Sequence, residues 1–447
     1  MTTTRFARIV VAFAVLTAGM AFSAAAQTND EATPFPSLQW NFSTPGARAN
    51  AMGRSFIGVA DDASAAVTNP AGLTSLTRPQ VYAEYKNTQL KIDRLATVDS
   101  LRTLQPTTNT ATVNSLSFLS VSAPIGDKIA VAGSIYRFLD YHESFNFDPR
   151  PIPNSPGGFV LFPITGNADF TATAYGGSVA YNVTNELHVG GTIAANQLKA
   201  TSVGTRNAIA TFGSNPTTSP IVVNQTSIDA SEMAVSGSLG ALYKVNDMVN
   251  VGFDFTKGPK FNSSENLLAN PGYNPNIPSR GTNQPLTQAT GFPKAFSLNV
   301  PDHYGIGVAV RPTPKLLIAG DAVRINYSSL SKNTTVVFQT TTLTGNEYAT
   351  PDVWETHVGA EYNVYSMTGN AIFVRGGFFS NPAHLVTFTG TSDPEVNAAE
   401  TAKFNLLPRS NETRGTAGVG IAIGPRAQID AAYIFGKELV LSGAVRF

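Results

Sequence analysis

The stretch Val249-Asn250-Val251-Gly252-Phe253-Asp254-Phe255-Thr256 alternates large apolar residues with residues that can face water. Successive side chains of an extended strand point to opposite faces, so this octapeptide has one apolar face and one small or polar face. The end of the chain, 439–447, repeats the pattern, because Leu439 and the terminal Phe447 share one face while Ser442 lies on the other. Such alternation is typical of a membrane-spanning strand with lipid on one side and a lumen on the other.

Fourteen segments of this kind, separated by turn-forming residues, predict an all-β chain. We expect a 14-stranded antiparallel transmembrane β-barrel, because only helices and closed barrels satisfy all their backbone hydrogen bonds inside a bilayer. The predicted strands are 79–86, 115–123, 128–138, 171–181, 186–198, 233–243, 248–257, 302–311, 316–327, 353–362, 370–379, 413–423, 427–435 and 439–447. The barrel domain is therefore predicted to span 79–447.

The connections between these segments are alternately short and long. Each even-numbered segment before the last is followed by a tight connection, such as 124–127 or 312–314, and most of these are rich in turn-forming residues. Most odd-numbered segments are followed by a much longer connection, and the longest is 258–301. Outer-membrane barrels have short periplasmic turns and long extracellular loops. This alternation of short and long connections favours a barrel over a soluble β-sandwich, because long structureless loops are uncommon in compact soluble domains.

The composition agrees with an envelope barrel. Charged residues make up 13% of the chain, against about 25% in soluble globular proteins. Lysine and arginine number 30, as do aspartate and glutamate, and no basic cluster suggests binding to nucleic acid. The chain contains no cysteine, which excludes disulfides, thiolate metal sites and cysteine nucleophiles.

The N-terminus predicts export. Arg5 and Arg8 precede an apolar run, 9–22, that is too short to span a bilayer. Small residues then lead to Ala26, which is the predicted cleavage site. We therefore interpret residues 1–26 as a secretory signal peptide.

Residues 27–78 lie between the signal peptide and the first predicted strand. Eight strands enclose a space that side chains can fill, whereas fourteen enclose a wider one that needs a plug or an open-pore function. The segment is rich in small residues that allow tight backbone packing. We therefore expect it to fold as an N-terminal hatch inside the barrel, with short helices.

The hatch contains a compact turn signal. Asp61 or Asp62 is expected to cap a short helix over 63–67. Pro70 disfavours helical geometry at Asn69 and favours the start of another turn.

This segment closely resembles the hatch of the FadL family of outer-membrane transporters, which carries Asn-Pro-Ala after an acidic, alanine-rich turn. Here the motif is Asn69-Pro70-Ala71, and the resemblance continues at 301–312, at Asp321 and at 354–362. It implies a fourteen-stranded barrel in the outer membrane of a Gram-negative bacterium. It also implies passive transport of hydrophobic or amphipathic small molecules, such as long-chain fatty acids or hydrocarbons. The expected partners are that ligand, outer-membrane lipid and lipopolysaccharide.

A second family has a similar hatch. Barrels related to the PorV component of the type IX secretion machinery carry a small-residue stretch that ends in Asn-Pro-Ala-Gly, here 69–72. Those barrels bind exported proteins. A secretion or surface-assembly partner is therefore the alternative hypothesis.

The sequence offers no recognisable pattern of catalytic or metal-binding residues. The five histidines lie in different strands or loops without His-x-x-x-His spacing, so we expect no metal and no cofactor. The Gly-x-Ser-x-Gly motif of serine hydrolases is absent. An enzyme would have to assemble a Ser-His pair from neighbouring strands, and we expect no enzymatic activity.

The predicted lumen-facing residues are mostly Gly, Ala, Ser, Thr and Asn. An aqueous porin lines its constriction with charge, so this lining favours a hydrophobic cargo. Apolar residues of the long outer loops form either a capture groove for the ligand or ordinary loop packing. They include Leu267, Leu268, Tyr273, Phe292 and Phe296.

Arg375, His357 and Phe373 are the predicted ligand-binding residues, because strand parity places all three side chains in the lumen. If the hairpin folds symmetrically about Ser366, His357 lies opposite Arg375, and the pair can bind a carboxylate. The alternative is that Arg375 pairs with an internal acid, such as Glu355 or Asp321.

Overall fold

The structure is a computed structural model. It describes residues 42–97, 104–147, 150–151, 160–161, 164–207, 221–273, 282, 284–330, 336–338, 341–343, 347–367, 369–394, 397, 401 and 411–447. The predicted signal peptide, 1–26, lies outside these residues.

Fourteen long strands form the wall of the molecule. They are β1 (Gln80–Thr97), β2 (Leu104–Ile125), β3 (Ile129–Phe147), β4 (Ile164–Asn182), β5 (Leu187–Asn207), β6 (Val222–Lys244), β7 (Val249–Lys257), β8 (His303–Thr313), β9 (Leu316–Ile325), β10 (Val353–Met367), β11 (Asn370–Asn381), β12 (Glu412–Ile423), β13 (Ala427–Ile434) and β14 (Glu438–Arg446).

The wall closes on itself. Each of these strands pairs antiparallel with its neighbours along the chain, and β1 pairs with β14 from Gln80 opposite Arg446 to Thr88 opposite Glu438. Closure leaves no unpaired edge, which is what a membrane-spanning sheet requires. The predicted 14-stranded antiparallel barrel is confirmed. Among the described residues, no helix is long and apolar enough to cross a membrane.

Side-chain exposure follows the alternation seen in the sequence. In β7, Phe253 is 47% exposed on the outer face, whereas Asp254 is 4% exposed on the inner face. In the last strand, Leu439 and Phe447 lie outside and Ser442 lies inside. The outer face therefore meets lipid, and the inner face meets the hatch or the lumen.

Several strands run further toward the long loops than predicted. β2 begins at Leu104 rather than at 115, and β6 begins at Val222 rather than at 233. Beyond the bilayer both faces of a strand meet water or other loops, so the apolar alternation that revealed the strands is lost. Hydrogen bonding between neighbouring strands nevertheless continues.

The longest predicted loop, 258–301, is partly strand. It contains Lys260–Ala269, Thr287–Gln288 and Lys294–Asn299, and the first of these pairs with the other two and with β6. Within it, Leu267 is 2% exposed. The loop is therefore packed on itself at that point, and Leu267 is closed off from an outer groove.

Other short elements lie in the remaining connections. They are the strands Arg150–Pro151, Val160–Leu161, Val336–Phe338, Thr341–Leu343, Tyr348–Ala349 and Thr387–Phe388 and the 3₁₀-helix Tyr327–Leu330.

The segment before β1 lies inside the barrel. Most of residues 42–76 are fully buried, and they form the helices α1 (Ala47–Ala51) and α2 (Ala65–Thr68) and the 3₁₀-helix η1 (Pro70–Ser75). The predicted position of a hatch within the lumen agrees with this packing. The domain boundaries at 27 and 78 remain a prediction.

Local signals explain the hatch turns. Oδ1 of Asp62 accepts hydrogen bonds from the N–H of Ser64 at 2.9 Å and from its hydroxyl at 2.6 Å, which stabilises the turn before α2. Asn69 is extended, with φ −154° and ψ 94°, and Pro70 starts η1. The residue before a proline avoids helical geometry, so the predicted break at Asn69 is confirmed.

Inward-facing glycines make room for the hatch on seven different strands. At Gly359, a Cβ would lie 2.1 Å from the carbonyl oxygen of Met52, and at Gly252 it would lie 2.2 Å from that of Ile57. Both distances are shorter than a van der Waals contact, so the hatch backbone packs directly on the wall backbone. These glycines are Gly190, Gly240, Gly252, Gly307, Gly359, Gly377 and Gly418.

We expect Gly359→Ala to lower the free energy of unfolding by about 1–3 kcal/mol, because the added methyl group overpacks against the hatch. The measurement is urea unfolding of the detergent-solubilised protein. Gly133→Ala is the matched control, since a Cβ there meets nothing within 4 Å. Equal stability of the two variants would contradict tight packing of the hatch at Gly359.

Candidate functional site

The Asn69-Pro70-Ala71 motif lies where the hatch meets the wall. The amide nitrogen of Asn69 donates to the carbonyl oxygens of Ile57 and of Ala241 on β6, both at 3.0 Å. Its Oδ1 accepts from the N–H of Ala71 at 3.3 Å and caps η1. One side chain thus joins two hatch turns to a barrel strand. A role for the motif in passage remains a prediction.

Polar side chains of the wall bind the hatch backbone at other points. Oδ2 of Asp321, on β9, accepts from the N–H groups of Phe56 at 2.6 Å and Ile57 at 3.0 Å. The hydroxyl of Thr416, on β12, donates to the carbonyl oxygen of Ala51 at 2.8 Å. Buried backbone groups require such partners. The small polar lining at this level therefore serves the hatch.

A chain of buried ion pairs crosses from the hatch to three strands. Arg48 of α1 donates to Glu361 on β10 through Nε at 2.8 Å and Nη2 at 3.0 Å, and it also bonds Asp61. Arg375, on β11, donates to Glu361 at 2.6 Å and to Asp430 on β13 at 2.7 Å. Nε and Nη1 of Arg375 are thus bound by protein carboxylates, whereas its Nη2 has no hydrogen-bond partner among the described residues.

The predicted pairing of His357 with Arg375 is wrong. Arg375 lies opposite Glu361, and His357 lies opposite Phe379. The β10–β11 hairpin turns around 367–370 rather than about residue 366, and its register shifts near that turn. A bulge moves the pairing by one residue. The alternation of apolar and polar residues in the sequence does not show where such a bulge lies.

The three predicted ligand residues divide between two cavities. Arg375 and Phe373 line a cavity on the short-turn side of the hatch, together with Arg48, and the guanidinium carbon of Arg375 is 5.4 Å from the centroid of the Phe373 ring. His357 lines a separate cavity on the long-loop side. The predicted internal acid partner of Arg375 is present, but it is Glu361 with Asp430. Ligand binding by the three residues remains a prediction.

The cavity on the long-loop side has a volume of about 130 Å³. Apolar side chains supply much of its lining, including Tyr136 and Phe138 from β3, Val323 and Ile325 from β9, and Ile57 from the hatch. The hatch forms its floor, and the cavity extends from there toward the long loops.

Charged residues also line this cavity, beside the Gly, Ala, Ser, Thr and Asn residues expected of the lumen. Asp254, Asp321, Glu355 and Arg54 all border it. Nε2 of His357 lies 3.2 Å from the Glu355 carboxylate. Sequence reasoning passed over Asp254, although it is the one acid at a lumen position of the strand that revealed the fold. Among the residues that the structure describes, no three His, Asp or Glu side chains form a group that could hold a metal ion.

A closed barrel, an internal hatch and a cavity above it together define a transport barrel with a plug. The model of the family described as outer membrane protein transport protein (OMPP1/FadL/TodX) matches residues 38–442. The chain therefore belongs to this family, as its hatch sequence predicted. It is an outer-membrane transport protein, and the predicted location in the cell outer membrane of a Gram-negative bacterium is confirmed.

Solved structures have the same fold. A FadL homologue from Pseudomonas aeruginosa is 15% identical with a TM-score of 0.59, and the alignment covers 92% of this chain and 99% of that one. The Pseudomonas putida toluene transporter TodX is 13% identical with a TM-score of 0.60, covering 92% and 100%. The Ralstonia pickettii toluene transporter TbuX is 16% identical with a TM-score of 0.56, covering 91% and 99%. No curated protein sequence matches the chain.

We expect Asn69→Asp to loosen the hatch, because Asp keeps the capping oxygen but cannot donate to Ile57 and Ala241. Single-channel recordings in planar bilayers should show more frequent open events than in the wild type. Asn69→Ala, which also removes the cap, should have a larger effect. Wild-type currents in both variants would mean that the motif only fills space.

We expect Arg375→Ala to lower the free energy of unfolding by about 3–5 kcal/mol, because the buried Asp430 carboxylate loses the guanidinium that it binds and Glu361 keeps only Arg48. Arg375→Lys should lower the free energy of unfolding by less, since lysine keeps the charge but not the forked geometry of the guanidinium. Arg137→Ala is the control: its partner Asp140 is 3.2 Å away and its side chain is 37% exposed, so the loss should stay below about 1 kcal/mol.

A different outcome would support the predicted ligand role of Arg375. In that case fatty-acid binding, measured by calorimetry, is lost in both Arg375 variants while the free energy of unfolding stays at the wild-type value.

Proposed function

We propose that this barrel moves hydrophobic or amphipathic small molecules, such as long-chain fatty acids or hydrocarbons, passively across the outer membrane. The observation that carries the proposal is the cavity above the hatch, which is enclosed by the wall and is rich in apolar side chains. Two solved structures of similar fold are described as toluene transporters. Lipopolysaccharide makes the outer leaflet a poor path for such molecules, so a protein path is useful there.

The cavity volume sets the size of the occupant. An engineered apolar cavity of about 150 Å³ holds one benzene molecule, and the present cavity measures about 130 Å³. One aromatic ring therefore fits. A long acyl chain would have to extend toward the long loops or displace part of the hatch.

In this proposal residues 27–78 act as the gate. The packing of glycines against the hatch and the bonds of Asn69 hold the closed state, and a ligand passes when part of this contact opens. Transport involves no chemical change of the ligand, so the barrel is proposed to have no catalytic residues and no cofactor. Outer-membrane lipid surrounds the wall and lipopolysaccharide surrounds the outer loops.

The predicted ligand residues take different roles in this proposal. His357 borders the proposed ligand cavity, so we propose it as a contact for the ligand. Arg375 already binds Glu361 and Asp430, so we propose that it positions the hatch. Phe373 lies beside Arg375 on the short-turn side and would meet a ligand only after it passes the hatch.

We expect deletion of residues 27–77 to raise single-channel conductance in planar bilayers, because an empty fourteen-stranded barrel leaves a wide lumen. Heat-modifiable migration on gels would first establish that the variant still folds. If it does not fold, Asn69→Asp provides the milder opening. Unchanged conductance in a folded deletion variant would contradict the gating role.

Mass spectrometry of molecules that co-purify with the detergent-extracted protein tests the ligand class. Retention of a fatty acid or a hydrocarbon is the expected result. Retention of a stoichiometric exported protein, with no small hydrophobic molecule, would instead support the secretion-partner hypothesis.

A further inference from the structure

A carboxyl group in the cavity on the long-loop side has an oxygen without a hydrogen-bond partner among the described residues. Asp254 is 4% exposed and lines this cavity. Within the described ranges, its Oδ1 has no hydrogen-bond partner. Its directly paired cross-strand neighbours are Gly240 on β6 and Gly305 on β8, so neither of these two positions carries a side chain. Burying a polar group without a partner is unfavourable, which points to a partner outside the chain.

Two further carboxyl groups border the cavity, beside hydroxyl, amide and imidazole side chains. Oδ2 of Asp321 holds the hatch, while its Oδ1 has no partner among the described residues, and Glu355 also borders the cavity. The cation of the lining is Arg54, whose guanidinium stacks on the Phe379 ring at 4.0 Å. The lining also contains the imidazoles of His303 and His357, so a carboxylate ligand finds Arg54 as the one guanidinium among the described lining residues.

From this arrangement we infer that the cavity selects a small apolar molecule that carries a hydrogen-bond donor, a hydroxyl or amino group, and that Asp254 accepts that hydrogen bond. The inference rests on the proposed function and names its substrate class. A carboxyl group keeps an acceptor oxygen in either protonation state. The apolar body packs against Tyr136, Phe138 and the aliphatic side chains of β9.

A body of about one ring fits the cavity volume of about 130 Å³. The donor then decides between ligands of equal size. A site built to bind a hydroxyl group discriminates strongly against an analogue that lacks it, because the site's own polar group is then left unpaired. Phenol and toluene are such a pair, and benzoate presents a carboxylate on the same ring.

Calorimetric titration of the full detergent-solubilised chain with phenol, toluene and benzoate tests the inference. We expect the wild type to bind phenol about tenfold more tightly than toluene, as one net hydrogen bond provides, and benzoate most weakly. Asp254→Leu should bind toluene and phenol equally. Asp254→Asn, which keeps an acceptor oxygen, should retain the preference for phenol.

Thr256→Val is the matched control, because Thr256 lies on the same strand and lines the same cavity. It should keep the wild-type preference. Asp254→Leu removes a buried group without a partner, so it should fold and unfold at a higher temperature than the wild type. This measurement separates loss of the donor site from loss of the fold.

Other results of these titrations would contradict the inference. Equal binding of phenol and toluene by the wild type, or a phenol preference that survives in Asp254→Leu, removes Asp254 as the acceptor. Tightest binding of benzoate would make Arg54 the recognition group instead. Toluene binding without a phenol preference leaves the proposed transport intact, whereas no binding of any probe contradicts both the donor site and the ligand cavity.

Discussion

The hatch backbone must find both space and hydrogen-bond partners inside a closed barrel, and this requirement organises the lumen. A buried N–H or carbonyl group without a partner is costly. The wall meets the requirement in two ways: glycines admit the hatch backbone, and short polar side chains bind it. Met52 packs on Gly359, and Thr416 bonds Ala51. The preference for small lumen residues therefore follows from the hatch and says little about the cargo.

Charge reinforces this packing on one side of the hatch. Arg48, Glu361, Arg375 and Asp430 alternate in sign along a buried chain of bonds. The desolvation of each ion is offset by at least one partner, and removal of one member takes a partner from each of its neighbours. Because Arg48 belongs to the hatch and the others to the wall, the same bonds that stabilise the barrel also hold its plug.

The two sides of the hatch differ in chemistry. On the short-turn side the charged groups bind one another. On the long-loop side the cavity has apolar walls, and oxygens of Asp254 and Asp321 have no partner among the described residues. The first arrangement suits a structural clamp, and the second suits a ligand. Both cavities contain acidic and basic residues. They differ in how many of the charged groups bind a protein partner.

The sequence by itself determined the barrel, its fourteen strands and the hatch with its break at Asn69. Alternation, turn residues and proline geometry are properties of residues that are close in sequence, and contact with lipid requires the alternation. The FadL-type hatch motif also indicated the family. Only the tertiary structure decided which side chains meet. The β10–β11 hairpin turns at 367–370 instead of at Ser366, and this later turn, together with a one-residue bulge, places Glu361 rather than His357 opposite Arg375. Gly240 and Gly305, the two residues paired directly with Asp254, offer it no side-chain partner. Both outcomes depend on contacts between segments that lie far apart in the sequence. The alternation of residues along one strand carries no information about such contacts.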